Sequence, residues 1–128
     1  MLKTAHQLVQ EAKVHIKEAS PADIGNMMVA PDVLIIDVRE PDEYRQGHLP
    51  GAINVPRGML EFQISNEAAL QNLTRPIIVY CKTSGRAALA ALSMQTMGFR
   101  NVVSLAGGFV AWAAGNHPVD KPAEVAFD

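Results

Sequence analysis

Along this chain the apolar positions change period several times, and each change marks an element. Ala5, Leu8, Val9 and Ala12 fall at i, i+3, i+4 and i+7. That spacing predicts a short amphipathic helix over residues 4–13, with Thr4 as its N-cap. Its apolar stripe needs a partner, either this domain or a second copy, so a homodimer through this helix is one expectation. Val14, Ile16 and Glu18 suggest a brief strand, and Ser20-Pro21 reads as an N-cap followed by proline at the first helical position, opening a helix to about Met28. Residues 33–38 and 76–80 are aliphatic runs bounded by prolines or turns, the pattern of strands buried on both faces. Residues 41–45 predict a helical turn, 47–51 a turn, and 52–55 a short strand. Residues 60–73 carry helical spacing that Ser65-Asn66 should interrupt.

After the second buried strand comes a loop, then an Ala/Leu/Met helix over residues 87–97 closed by Gly98. A strand over 102–105, a turn at Gly107-Gly108 and a helix over 109–114 ended by Gly115 complete the pattern, and the tail after Pro118 is expected to be loose. Strand and helix alternate from about residue 14 to 115. This predicts an α/β domain with a mostly parallel central sheet flanked by helices on both faces. The expected division is a helical extension over 1–13, the α/β domain over 14–118 and a tail over 119–128.

Length and charge narrow the function classes. At 128 residues the chain has room for one domain, since a domain takes about 150. With 48% apolar and 19% charged residues it can fill one core. A net charge of −2 without basic clusters gives no footprint for nucleic acid or an anionic membrane. The first 17 residues carry Lys3, His6, Glu11 and Lys13 among apolar positions, so they read neither as a signal peptide nor as a membrane span, and a cytoplasmic protein is expected. His6, His15, His48 and His117 are scattered, the chain has one cysteine, and neither a metal nor another bound cofactor is expected.

That cysteine, Cys81, directly follows a buried strand, where open α/β sheets place their reactive crevice. A cysteine at a strand end is commonly a small buried hydrophobe. Its surroundings argue otherwise. The loop runs into a helix N-terminus whose free amides and dipole favour a thiolate. Lys82 and Arg86 add positive charge, and Ser84 with Gly85 leaves room for loop amides to form an anion nest. Thr83 and Ser84 could offer hydroxyls to an anion, or could equally serve helix capping.

The segments 34–40 (LIIDVRE), Glu43-Tyr44, 47–56 (GHLPGAINVP), 78–81 (IVYC) and 105–109 (LAGGF) with Trp112 resemble, in order and separation, a rhodanese domain over residues 14–118. The resemblance implies a rhodanese-like fold and a thiosulfate sulfurtransferase type of activity. It implies Cys81 as the nucleophile carrying a persulfide, and Lys82, Thr83, Ser84, Gly85 and Arg86 as the rest of a six-residue cradle. Arg86 would bind a small anionic donor such as thiosulfate. The acceptor would be cyanide, a small thiol or a protein cysteine. Asp37 and Arg39 would order the pocket, with Glu43 and His48 as structural hydrogen-bonding groups.

One departure stands out: many such loops carry glycine three positions after the cysteine, where this chain has Ser84, with Gly85 next. Two other readings compete. A phosphatase or arsenate reductase of similar fold would place its arginine six positions after the cysteine, whereas Arg86 lies five after Cys81. A non-catalytic binding or sulfur-sensing module commonly lacks the cysteine, which here is present beside Arg86.

Overall fold

The computed structural model describes residues 1–122. Helices α1 (Ala5–His15), α2 (Pro21–Met27), α3 (Pro41–Gln46), α4 (Leu60–Asn66), α5 (Gly85–Met97) and α6 (Gly108–Ala114) alternate with strands β1 (Lys17–Ala19), β2 (Leu34–Asp37), β3 (Ile53–Asn54), β4 (Ile77–Tyr80) and β5 (Val102–Leu105). The strands form one sheet in the order β1-β5-β4-β2-β3, with every pairing parallel.

All residues of β2 and β4 are buried, which explains their unbroken aliphatic runs: helices cover both faces and leave no position for water. Side chains along β4 alternate. Ile77, Val79 and Cys81 join Leu60 and Ile64 of α4 and Ala87, Ala91 and Met94 of α5 in one core layer. Ile78 and Tyr80 join Ile24 of α2, Leu105 and Trp112 of α6 in the other.

The helix starts follow their caps. Thr4 Oγ1 accepts from the Gln7 N–H at 3.2 Å while Gln7 Oε1 accepts from the Thr4 N–H at 2.7 Å, a reciprocal capping box. Ser20 Oγ accepts from the Asp23 N–H at 3.2 Å, with Pro21 at the first helical position. The helical stretch after residue 60 breaks where expected, α4 ending at Asn66 before a 3-10 turn at Ala68–Leu70.

Three expectations need correction. The helix α1 runs on to His15, so the strand begins only at Lys17; Val14 is a solvent-facing helical residue, and its alternation with Ile16 is not strand periodicity. The helix α5 begins at Gly85 rather than Ala87, which places Arg86 in its first turn. The tail is held as far as Asp120. The buried indole of Trp112 needs an acceptor, and its Nε1–H donates to the Pro118 carbonyl at 2.7 Å. His48 and Asp120 exchange backbone hydrogen bonds of 2.8 and 2.9 Å. The remainder of the expected loose tail, 123–128, lies outside the described residues.

The C-terminal half of the α1 stripe, Val9 and Ala12, finds a partner within the chain, while Ala5 and Leu8 remain exposed. Ala12 is fully buried, and a Cβ at Gly85 would lie 3.5 Å from Val9 Cγ2, so α1 packs on the start of α5. No helix among the described residues is long and apolar enough to cross a membrane.

Candidate active site

Because every strand is parallel, their carboxyl ends share one edge of the sheet. From β2 the chain moves outward to β3, and from β4 it moves outward the other way to β5. Right-handed crossovers in opposite directions put α3 and α5 on opposite faces and open a crevice between the loops after β2 and β4. The residues singled out by sequence converge there.

Cys81 is 1% exposed, and its Sγ accepts a hydrogen bond from the Ala87 N–H at 3.3 Å. The chain therefore circles from Cys81 through Lys82, Thr83, Ser84, Gly85 and Arg86 and returns to its own sulfur. The other side of this ring is fixed by α6. The Phe109 N–H donates to the Cys81 carbonyl at 2.9 Å and the Val110 N–H to the Lys82 carbonyl at 3.1 Å. In a trans peptide the carbonyl and the following N–H point in opposite directions, so the Lys82 and Thr83 amides turn away from α6. Among the described residues, neither these amides nor that of Ser84 donates a hydrogen bond to a protein acceptor. Such a row of free amides is the kind of donor set an anion can use.

Gly108 makes this packing feasible. Its φ is +61°, and a Cβ there would collide with the Thr83 carbonyl and lie 2.6 Å from the Cys81 and Lys82 carbonyl oxygens. The Gly107-Gly108 pair, expected as a turn, also serves this packing. The paired glycines were the available signal for a close backbone approach.

Behind the crevice, Asp37 and Arg39 form a buried pair. Arg39 Nη2 donates to Asp37 Oδ2 at 2.7 Å and to the Gly47 carbonyl at 2.7 Å, and Nε donates to Oδ1 at 3.0 Å. Burial alone would lower the Arg39 pKa, but hydrogen bonds and charge from Asp37 outweigh it and hold the guanidinium ionised. The ring of Phe109 lies 4.4 Å below that guanidinium. The Tyr80 hydroxyl donates to Asp37 Oδ2 at 2.8 Å and accepts from the Leu49 N–H at 3.1 Å. Burial first, then the Asp37 charge, keeps this phenol neutral far above its ordinary range. Tyr80 is thus a buried strut that sequence reading did not assign.

Glu43 and Arg86 meet across the crevice. Arg86 Nη1 and Nη2 donate to the two carboxylate oxygens of Glu43 at 2.7 and 3.1 Å. The Arg86 hydrogen bonds hold the Glu43 carboxyl well down, at about 2, and the same pairing raises the Arg86 pKa. Arg86 is thus charge-matched within the protein. Lys82 and Thr83 are exposed on the rim. Ser84 receives a hydrogen bond from Lys13 Nζ of α1 at 2.9 Å, a contact with the expected N-terminal extension that the sequence does not reveal.

His48 is turned to structure. Its ring stacks on Tyr44 at 4.0 Å between centroids, and Nδ1 lies 2.9 Å from the Leu49 carbonyl. A cavity of about 300 Å³ opens beside the cradle, lined by Arg39, Glu43, Gln46, Lys82, Phe109 and Val110.

Comparison with known proteins agrees with this architecture. The family model for the Rhodanese-like domain matches residues 20–115. The chain is 31% identical over 91 residues to a sulfurtransferase from Allochromatium vinosum, covering 71% of this chain and 81% of that protein. It is 32% identical over 98 residues to the thiosulfate sulfurtransferase GlpE of Pseudoalteromonas translucida, covering 77% and 90%. Among solved structures, a Rhodopseudomonas palustris protein of unknown function, described as a possible tyrosine phosphatase, superposes with a TM-score of 0.85 at 33% identity, covering 94% of this chain and 96% of that one. With a parallel sheet, a cysteine ring at its carboxyl edge and a family match over most of its length, this chain belongs to the rhodanese-like domain family.

Proposed function

We propose that this protein is a sulfurtransferase that takes a sulfane sulfur from a small anionic donor such as thiosulfate onto Cys81 and passes it to a nucleophilic acceptor. The observation that carries this reading is the Cys81 ring: Sγ receives the Ala87 N–H, and the amides of residues 82–84 stay unpaired for an anion. In the first step the Cys81 thiolate attacks the outer sulfur of thiosulfate. A new S–S bond forms on Sγ, the donor S–S bond breaks, and its electron pair leaves with sulfite. In the second, the acceptor attacks that outer sulfur and the Sγ–S electron pair returns to Cys81 as thiolate. With cyanide the product is thiocyanate; with a thiolate, small or on a protein, it is a persulfide. The free amides stabilise the charge as it moves to and from the outer sulfur.

The test is thiocyanate formation from thiosulfate and cyanide by the natural protein, Cys81→Ala and Arg86→Ala. Turnover should vanish in Cys81→Ala and fall in Arg86→Ala. Absence of turnover in the natural, reduced protein would move the assignment to another sulfur donor or to a binding module, and hydrolysis of a phosphate ester at Cys81 would move it to a phosphatase.

A further inference from the structure

The basic groups around the cradle differ in how much charge they offer it. Arg39 is matched by Asp37 and Arg86 by Glu43, each with a carboxylate oxygen at 2.7 Å, so these pairs bring little net charge. Lys82 is exposed and among the described residues makes no ion pair. Lys13 is different in kind. It comes from α1, and its Nζ donates to Ser84 Oγ at 2.9 Å. Its ion-pair partner among the described residues, Glu18 Oε2, lies at 3.9 Å, a longer pairing than the 2.7 Å of Asp37 and Glu43, and the Lys13 side chain is 27% exposed.

Ser84 sits in the ring that closes on Cys81, at the position before α5, yet its hydroxyl makes no cap bond to that helix. A serine hydroxyl has one O–H to donate and two lone pairs to accept with. Lys13 uses a lone pair, and among the described residues no protein acceptor takes the O–H. A hydroxyl that accepts from an ammonium is polarised toward donating. That O–H is left available to a bound anion.

We propose that Lys13 is a positioning residue of the cradle: acting through Ser84, it fixes a polarised hydroxyl and a positive charge on the ring and makes the cradle prefer anionic reagents to neutral ones. Its physiological meaning, a donor of the thiosulfate or anionic polysulfide class rather than a neutral one, rests on the sulfur-transfer reading. Lys13 then adds donor-selecting charge to the cradle from the first helix, beside Lys82 of the loop, unpaired among the described residues, whereas Arg86 is balanced by Glu43.

Alkylation of Cys81, the one cysteine of the chain, tests this without any sulfur donor. Second-order rates are measured with iodoacetate, an anion, and with iodoacetamide, which is neutral. Both form the same S–C bond and release iodide, so a change in thiolate fraction cancels in their ratio and only the field felt by the reagent remains. Lys13→Met should lower the iodoacetate to iodoacetamide ratio about fivefold. Lys13→Arg should hold it within about twofold, and Glu18→Gln should raise it. In a Ser84→Gly background, Lys13→Met should change the ratio far less. An unchanged ratio in Lys13→Met, or an equal fall with and without Ser84, overturns the proposal. If the ratio responds while the natural protein makes no thiocyanate, the thiosulfate-to-cyanide assignment fails and Lys13 keeps its role. The reverse result sinks this inference alone.

Discussion

Glu43 and Arg86 clasp fork to fork, at 2.7 and 3.1 Å, from helices on opposite faces of the sheet. One helix follows β2 and the other follows β4, so the pair spans the crevice where the strand order reverses. It ties the cysteine loop to the Asp37–Arg39 side of the site and cancels most of the charge of the arginine in the ring.

Acid should reveal this pair. The Glu43 carboxyl is lowered from 4.5 to about 2 by Arg86, so the ionised pair persists through the neutral and mildly acid range. A depressed carboxyl contributes stability that is fully present above its unfolded value and is lost as pH falls through its folded one. Between pH 4.5 and about 2 the natural protein should therefore lose stability with a component absent from Glu43→Gln. Urea midpoints at several pH values check this. In thiosulfate turnover, the same variant should lower KM, because Arg86 is uncovered, and lower kcat, because the fork is no longer held.

Gly108→Ala should disrupt the cradle itself. At φ +61° the new Cβ meets three loop carbonyls, two of them at 2.6 Å, and backbone oxygens cannot swing aside. The expected cost is roughly 2–4 kcal/mol, with a changed rate of Cys81 alkylation relative to the natural protein. Gly51→Ala is the control: its φ is +79° but the space around it is open, so only the conformational term of about 1–2 kcal/mol applies. Comparable losses at both positions in denaturant unfolding would argue against the carbonyl packing.

Asp37 anchors the buried charge of Arg39 and the Tyr80 hydroxyl at once. Asp37→Ala leaves a guanidinium without its counter-ion in the core and should cost about 3–5 kcal/mol. Tyr80→Phe removes one donor and strands the Leu49 N–H, costing about 1–3 kcal/mol. Equilibrium unfolding of both variants measures these, and a double variant should cost less than their sum because the groups share partners.

Ser104 on β5 is fully buried, and among the described residues its Oγ has no hydrogen-bond partner. Burying an unpaired hydroxyl is unfavourable, so Ser104→Ala should be neutral or stabilising by up to about 1 kcal/mol. A thermal melt that falls by several degrees would show that the hydroxyl has a partner after all.

Much of the fold was legible because its signals are local. Two unbroken aliphatic runs mark β2 and β4, and Ser20-Pro21 and Thr4 mark helix starts through their own neighbours. The position of Cys81 between a buried strand and a helix was likewise readable, as was its run to Arg86. Weak or short elements were not. The three-residue edge strand β1 carries too little pattern to separate from the end of α1, and the hold on the tail depends on where Trp112 finds an acceptor.

Local stretches of chain carry the period of each element, the cysteine placed where a parallel sheet exposes its reactive edge, and the motifs that spell the family. Which polar groups face one another follows from packing alone: Glu43 on Arg86 across 43 positions, and Lys13 on Ser84 across 71. Periodicity and capping act over one or two turns of chain, whereas these pairings arise when crossovers on both sheet faces bring distant loops to one edge.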